Sequence, residues 1–489
     1  MIVINYLKID LLSMKILYIL FMVFLATNTV AGSLPSVSKA TPKTPTVTLK
    51  EALTAAYKMT FLTSYQYDVK GSYEALSAAK REGWLPKVGL SSSYTADFNH
   101  THTKTNAYGQ NSPPGSATGN QQVHSAKNAV TLSQNIFAGG GSVASIRAQK
   151  HNVEKTLAGY AKQESSFLFQ VIKAYSDLVL KQESYDVYLA NQKVLEEQSR
   201  VAKSTNELGA NTISDVAQTE AKLAKVKAAV TLAKAEVENA LAVLEQYTGI
   251  SGPQIPAPLG LPSNLPKSKE EAIQQAFEQS NDLKAAEADA LQAKETANQA
   301  SAGLLPSVDV SATGSRNFQS NWSTSFSKSA TSTFEAAATV SVPLDFKGST
   351  QAGLRKYKYD AAKKRIDIIN TKRMVAAAIT TRWETMEAKR KNIIETEEQV
   401  KAAKIAYDCM KEEFSAGLKT TLHLLTAEQE YFSAQLQLLG AKQDHLVSAY
   451  ELLKDIGGAL TPQSLELPLE AFNPQDYENV PVWGTSIKE

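Results

Sequence analysis

The sequence predicts a mixed α/β membrane protein built from two structural repeats, each contributing two barrel strands and a pair of long antiparallel coiled-coil helices. Three observations carry this expectation. The same order of segments occurs twice along the 489 residues. Short stretches in each half alternate apolar with polar residues, the period of strands lying between a greasy and a wet environment. Each half also holds an alanine-rich, proline-free stretch of nearly seventy residues. At ~1.5 Å per residue such a helix extends on the order of 100 Å, which no globular core requires.

In chain order, the first element is "MKILYILFMVFLATNTVAGS", a lysine, an apolar core and then small residues. Residues 1–31 therefore read as a secretory signal peptide cleaved after Ala31, with Thr29 and Ala31 at the two small-residue positions. Met14 is an alternative start to Met1. The apolar run from Ile16 to Ala26 is short of the ~20 residues needed to cross a bilayer. No cysteine lies nearby to be lipidated, and no later apolar run is long, so the mature chain is expected to be exported and not to be a helical membrane protein. Its charge is nearly balanced, 51 Lys+Arg against 49 Asp+Glu, which gives no electrostatic case for nucleic acid. Cys409 is the single cysteine, so an intramolecular disulfide and a Cys/His metal cluster are excluded. It reads as a buried filler.

The repeat is visible in aligned segments. "EALTAAY" at 51 matches "EAIQQAF" at 271, and the same offset of 220 places "WLPKVGLS" at 84 on "LLPSVDVS" at 304. Phe137 in "LSQNIFAGGGS" then falls on Phe346 in "VPLDFKGS" at an offset of 209, so the intervening loop is shorter in the second copy. Gly209 and Gly249 fall on Gly417 and Gly457 at an offset of 208. The first repeat covers 32–250, a proline-rich connection 251–268, the second repeat 269–458 and a proline-punctuated tail 459–489.

Within each repeat the periodicity separates helix from strand. Residues 49–83 and 269–303 carry apolar residues at three- and four-residue steps and read as helices that Pro86 and Pro306 end. Period two follows, predicting strands at about 85–97, 126–137, 305–317 and 331–344. Lys87, Asp309 and Glu335 fall on the polar side of this alternation and are expected to face the lumen of a barrel. Loops rich in Asn, Thr, Ser, Gly and Pro join each strand pair. Long helices are predicted over 141–207 and 349–415, turning at Gly209 and Gly417 and returning over 213–248 and 421–456. Small residues on much of their circumference suit close antiparallel packing.

Four strands with an apolar face cannot close a barrel, for which about eight is the practical minimum, and lipid tolerates no open edge. If that face meets lipid, strands are pooled between chains, and a trimer would supply twelve. The triple glycine of "NIFAGGGS" first suggests a phosphate loop, but neither copy has the Gly-Lys-Ser/Thr order that such a loop needs. Gly139, Gly140 and Gly141, with Gly348 in the second copy, read instead as bends where a strand becomes a helix.

The two-fold repeat resembles the TolC family of outer-membrane efflux proteins over essentially the whole mature chain. The residues that carry the resemblance are the "WLPKVGLS" and "LLPSVDVS" junctions, "LSQNIFAGGGS" and "VSVPLDFKGS" at the strand-to-helix junctions, and "ELGANTISDV" and "SAGLKTTLHLL" at the helical tips. The resemblance implies a homotrimer: a twelve-stranded barrel in the outer membrane of a Gram-negative bacterium, continuing as an α-helical tunnel through the periplasm. It implies an equatorial belt made from the connection and the tail. It also implies outer-membrane lipid, a periplasmic membrane-fusion adaptor and an inner-membrane pump or ABC exporter as partners. The expected function is export of small molecules or polypeptides, gated at the periplasmic tips and powered elsewhere.

At those tips the family archetype links neighbouring coiled coils through an aspartate and an arginine; the equivalent positions here are Asp215 and Lys419, which keep opposite charge. Lysine lacks the planar fork of arginine, so the link is expected to be looser. Two acidic positions of the archetype are His423 and Thr426 here, so its carboxylate ring is absent at those positions. His423 would give a ring of imidazoles that titrates near neutral pH. His100 and His102, with His124 across the hairpin, lie in a compositionally simple loop, and no physiological metal or cofactor is expected. No cluster of nucleophile, base and orienting group is recognisable, so the chain is not expected to be an enzyme. The alternative reading is a structural periplasmic coiled-coil adaptor.

Overall fold

A computed structural model describes residues 47–100, 120–209, 212–251, 256–262, 264–322, 326–465 and 467. The expected signal peptide, the tip of the first hairpin and most of the tail lie outside the described residues.

The chain begins with α1 (Leu49–Tyr57), a 3-10 turn (Thr60–Leu62) and α2 (Thr63–Trp84). A capping box starts α1: the Glu51 amide donates to the Thr48 hydroxyl while the Glu51 carboxylate accepts from the Thr48 amide. Strands β1 (Lys87–His100) and β2 (Asn120–Ala138) follow, then the 67-residue α3 (Gly141–Glu207) and its 36-residue return α4 (Ile213–Thr248). The second half has the same order: α5 (Lys269–Gln279), α6 (Asn281–Ala302), β3 (Ser307–Trp322), β4 (Phe326–Ser341), the 67-residue α7 (Ser349–Ser415) and the 36-residue α8 (Thr421–Ile456).

The helices expected over 49–83 and 269–303 are each broken in two, at residues 58–62 and at Ser280. The cause is tertiary. Gly249, just past α4, comes against Met59 at the first break, where an added Cβ would stand 3.2 Å from the Met59 sulfur. Gly457, just past α8, comes against the second break, where a Cβ would stand 2.8 Å from the Gln279 carbonyl oxygen. The returning helix of each half thus seats its terminal glycine in the kink of that half's first helix pair. Periodicity alone does not report such a contact.

The strands also differ from the alternating stretches. β1 and β3 run on to His100 and Trp322, and β2 and β4 begin at Asn120 and Phe326, because the hairpin ends pair even where the apolar alternation fades. β4 stops at Ser341 instead of continuing to 344, and Pro343, which has no amide N–H to donate, follows two residues later. The four strands form one antiparallel sheet in the order β1-β2-β3-β4.

The buried residues concentrate halfway along the long helices. Phe167, Leu168, Val171 and Ile172 of α3 pack on Leu53 and Ala56 of α1 and on Tyr450 and Leu460. Val375, Ile379 and Met386 of α7 pack on Ala272 and Ala276 of α5 and on Leu452, Leu453 and Ile456. Around this belt α3 packs against α4, α6 and α8, and α7 packs against α6 and α8. Asp289 of α6 lies between Lys155 of α3 and Lys364 of α7, 2.6 Å from each ammonium. Cys409 is exposed, not a buried filler, because the stretch of α7 that carries it has little covering it within one chain.

Candidate functional site

The sheet has two chemically distinct faces, and the register assigns residues to them. Rows such as Leu90–Val130–Gly314–Phe334 and Val88–Leu132–Ala312–Ala336 share one face. These side chains are open to the surroundings, with Leu90 82% and Phe334 80% exposed. The opposite face carries Ser91–Ala129–Ser315–Thr333 and Gly89–Thr131–Thr313–Glu335. Lys87, Asp97, Lys127, Asp309 and Glu335 all belong to it. Arg316 and Lys328 are the charged residues of the apolar face, and both lie toward the hairpin end. Arg316 is held over the Phe318 ring, 4.9 Å from its centroid.

Among the residues expected in the lumen, Lys87 pairs with Glu82 at 3.2 Å, and Asp309 accepts from the Asn135 amide group at 2.7 Å. A bulge between Asn135 and Phe137 shifts the parity of β2, so Phe137, not Ile136, joins Val308 and Val340 on the apolar face. The alternation in the sequence continues through Ile136 and does not reveal this shift.

Where β2 becomes α3, Gly139 and Gly140 take left-handed backbone angles, φ 58° and 85°. Gly139 also lies close against the other repeat: a Cβ there would meet Leu305 Cβ at 2.7 Å and the Ala302 carbonyl oxygen at 2.8 Å. Gly141 is the first residue of α3, and its φ is not positive. A Cβ on it would be 3.1 Å from that of Ala302. The bend is therefore made by the first two glycines, while the third admits the approach of α6. Gly348 does the same conformational work before α7, at φ 69°. Asp345, which the sequence reading passed over, caps that helix, accepting from the amides of Ser349 at 3.1 Å and Gln351 at 3.0 Å. These backbone donors, Gln351 first, hold its carboxyl below the usual range. An aspartate a few residues ahead of a helix was the available signal. Pro86 and Pro306 each stand just before the first residue of a strand.

At the opposite end of the long helices, Gly209 and Gly417 both adopt φ 76°. Asp215 forms a capping box with Thr212: the Thr212 amide donates to its carboxylate at 3.2 Å and the Asp215 amide donates to the Thr212 hydroxyl at 3.2 Å, while that hydroxyl also donates to the carboxylate at 2.6 Å. Hydrogen bonding from Thr212 holds the Asp215 carboxyl low, with a smaller contribution from Thr421 of α8. Within one chain Asp215 and Lys419 are not brought together; Lys419 lies 3.9 Å from Glu413 instead. The second tip has no matching capping box. The Thr420 hydroxyl is hydrogen-bonded to His423 Nδ1 at 2.8 Å, and the Thr426 hydroxyl donates to the Leu422 carbonyl at 2.8 Å.

His124 is hydrogen-bonded through Nδ1 to the Tyr94 hydroxyl at 2.9 Å. His102 and the side chain of His100 lie outside the described residues. No group of three or more metal-ligating side chains occurs among the described residues, and no described helix is long and apolar enough to cross a membrane.

The profile of outer membrane efflux proteins matches residues 72–250 and 272–458. The chain belongs to this family. BepC, an outer membrane efflux protein of Brucella suis biovar 1, is 26% identical over 348 residues, 71% of this chain and 75% of its own. The alkaline protease secretion protein AprF of Pseudomonas aeruginosa is 24% identical over 325 residues, 64% of this chain and 66% of its own. The crystal structure of the CmeC outer membrane channel of Campylobacter jejuni aligns over 92% of this chain and 96% of its own, with a TM-score of 0.69 and 17% identity. The fold is thus that of the TolC-family channels. As a member of the outer membrane efflux family, the protein resides in the outer membrane of a Gram-negative bacterium and belongs among transport proteins, not enzymes.

Proposed function

We propose that three copies of the chain form an export channel, with the apolar face of a twelve-stranded barrel against lipid and the polar face lining the lumen. The observation that carries this reading is the sheet itself. Among the described residues it has four strands, two unpaired edges, one exposed apolar face and one face that holds Lys87, Asp97, Lys127, Asp309 and Glu335. An open edge is not viable in hydrocarbon, so the β1 edge of one chain pairs with the β4 edge of the next. The 67-residue helices then continue the lumen as a tunnel.

In this reading the tips that carry Asp215, Lys419, His423 and Thr426 are the periplasmic gate, and Asp215 reaches Lys419 of a neighbouring chain in the assembly. A periplasmic adaptor and an inner-membrane pump or ABC exporter dock there and supply the energy. Both efflux and protein secretion occur among the relatives by name, and the cargo is accordingly a small molecule or a polypeptide.

Single-channel conductance in planar bilayers tests the proposal, with wild type compared to Asp215→Ala. Small steady steps that enlarge in the variant are expected. Absence of insertion, together with release from membranes by carbonate alone, would replace the channel with a periplasmic adaptor.

A further inference from the structure

Gln198 of α3 and Glu428 of α8 meet about three helical turns above the tip turns, where the two coiled coils touch. The Gln198 amide group donates to Glu428 Oε2 at 2.8 Å. Two oxygens are left over, Gln198 Oε1 and Glu428 Oε1, and both are buried without a partner among the described residues. Glu428 is only 6% exposed. Leu195, Val226 and Leu425 form an apolar cluster at the level of the pair, and farther from the tip the ring of Tyr188 meets that of Phe432 edge-on at 5.0 Å.

Two buried acceptors on the two side chains of one hydrogen-bonded pair are a costly arrangement if the carboxyl is ionised. They become complementary if it carries a proton. A carboxylic acid and a primary amide close a ring of two hydrogen bonds, amide N–H to one carboxyl oxygen and carboxyl O–H to the amide oxygen. We propose that Glu428 is protonated in the resting protein and donates from Oε1 to Gln198 Oε1, so that a neutral acid–amide pair latches α3 to α8.

The groups facing Glu428 fit this state. Gln198 of α3 is neutral, Tyr407 of α7 adds an aromatic hydroxyl, and Tyr431 of α8 stacks on Tyr407 with centroids 5.9 Å apart. Burial raises the Glu428 carboxyl above the usual range, outweighing the pull toward the ionised form from the Gln198 hydrogen bond and, less, from Lys222 of α4, the one cation that acts on it among the described residues. Because Oε1 is already buried within a single chain, neither lumen water nor a second copy supplies the missing donor. When the pH rises far enough to remove the proton, it passes to solvent, one of the two bonds is lost and a charge is left in an apolar setting. The latch then releases.

The role in gating rests on the channel reading; the protonation does not, and the two are tested separately. The Glu428→Gln variant keeps an amide pair of nearly the same shape and is expected to fold. The infrared difference spectrum of wild type minus Glu428→Gln at neutral pH is expected to show the carbonyl stretch of a protonated carboxylic acid. A difference spectrum with a carboxylate signature in its place overturns the proposal whether or not the protein conducts. In bilayers, wild-type conductance is expected to increase as the pH is raised above neutral, an increase lost in Glu428→Gln. An equal increase in both, with the infrared band present, removes the latch from the gate.

Discussion

The Thr212 hydroxyl donates to Asp215 Oδ2 at 2.6 Å and accepts from the Asp215 amide at 3.2 Å, so the residue proposed to hold the gate is also the partner of the Thr212 cap of α4. The two roles are separable. Thr212→Ala removes the cap and costs about 0.5–2 kcal/mol of local helix stability, while leaving the charge of Asp215 in place. Asp215→Ala removes both. Enlarged conductance in Asp215→Ala but not in Thr212→Ala is expected; equal enlargement in both would assign the effect to capping.

The same carboxyl sets an acid limit. Its folded pKa is depressed, so its contribution to stability is present above the ordinary Asp value and is lost as the pH falls through the lower folded one. Hydrogen exchange of the α4 first turn is expected to accelerate in that acid window, and Asp215→Ala to show no such change.

Asp345 accepts from the first amides of α7 where the sheet ends, and Asp345→Ala is expected to destabilise that junction. Thermal unfolding of the assembled protein checks it. The loss should shrink toward acid pH, because the depressed carboxyl becomes protonated there and the wild-type advantage disappears.

Gly139 and Gly140 separate backbone freedom from space. Gly140→Ala meets an unfavourable φ but open surroundings, a cost of about 1–2 kcal/mol. Gly139→Ala meets the same penalty and in addition Leu305 Cβ at 2.7 Å and the Ala302 backbone. Gly139→Ala is expected to lower the melting temperature more than Gly140→Ala, and the reverse order would contradict the described approach of the two repeats.

An arginine distinguishes the two faces of the sheet. Leu90→Arg or Phe334→Arg is expected to cost about 2–4 kcal/mol in a bilayer if the residue lies near the midplane. Thr131→Arg, on the polar face, is expected to leave insertion intact and to change ion selectivity. Insertion yields into vesicles measure the first effect and reversal potentials the second.

The reach of sequence reasoning followed the physics of each feature. The long stretches 141–207 and 349–415 are continuous in pattern because nothing interrupts their hydrogen bonding, and they coincide with α3 and α7. The kinks at 58–62 and at Ser280 were not legible, since they arise from Gly249 and Gly457 arriving from some two hundred residues away. The same is true of the bulge at Ile136, where local alternation gives no hint that the partner strand drops one residue. At the tips, residue types identified Asp215 by resemblance, while its bond to Thr212 was available from the Thr-x-x-Asp spacing and passed unread. Glu428 left no mark in the sequence, because a glutamate on a helix reads as solvated until its neighbours are known.

Of the 67 residues of α7, only Ala361, Val375, Ile379 and Met386 are buried within the chain. A helix so bare does not hold itself straight in water over ~100 Å by intrinsic propensity alone. In the proposed trimer the rest of its rigidity comes from other copies, and the newly exported chain is then expected to be a soft object until it finds them. Biogenesis then depends on encounter: at low expression the unassembled chain should be degraded faster than the assembled protein, and its half-life should lengthen with concentration.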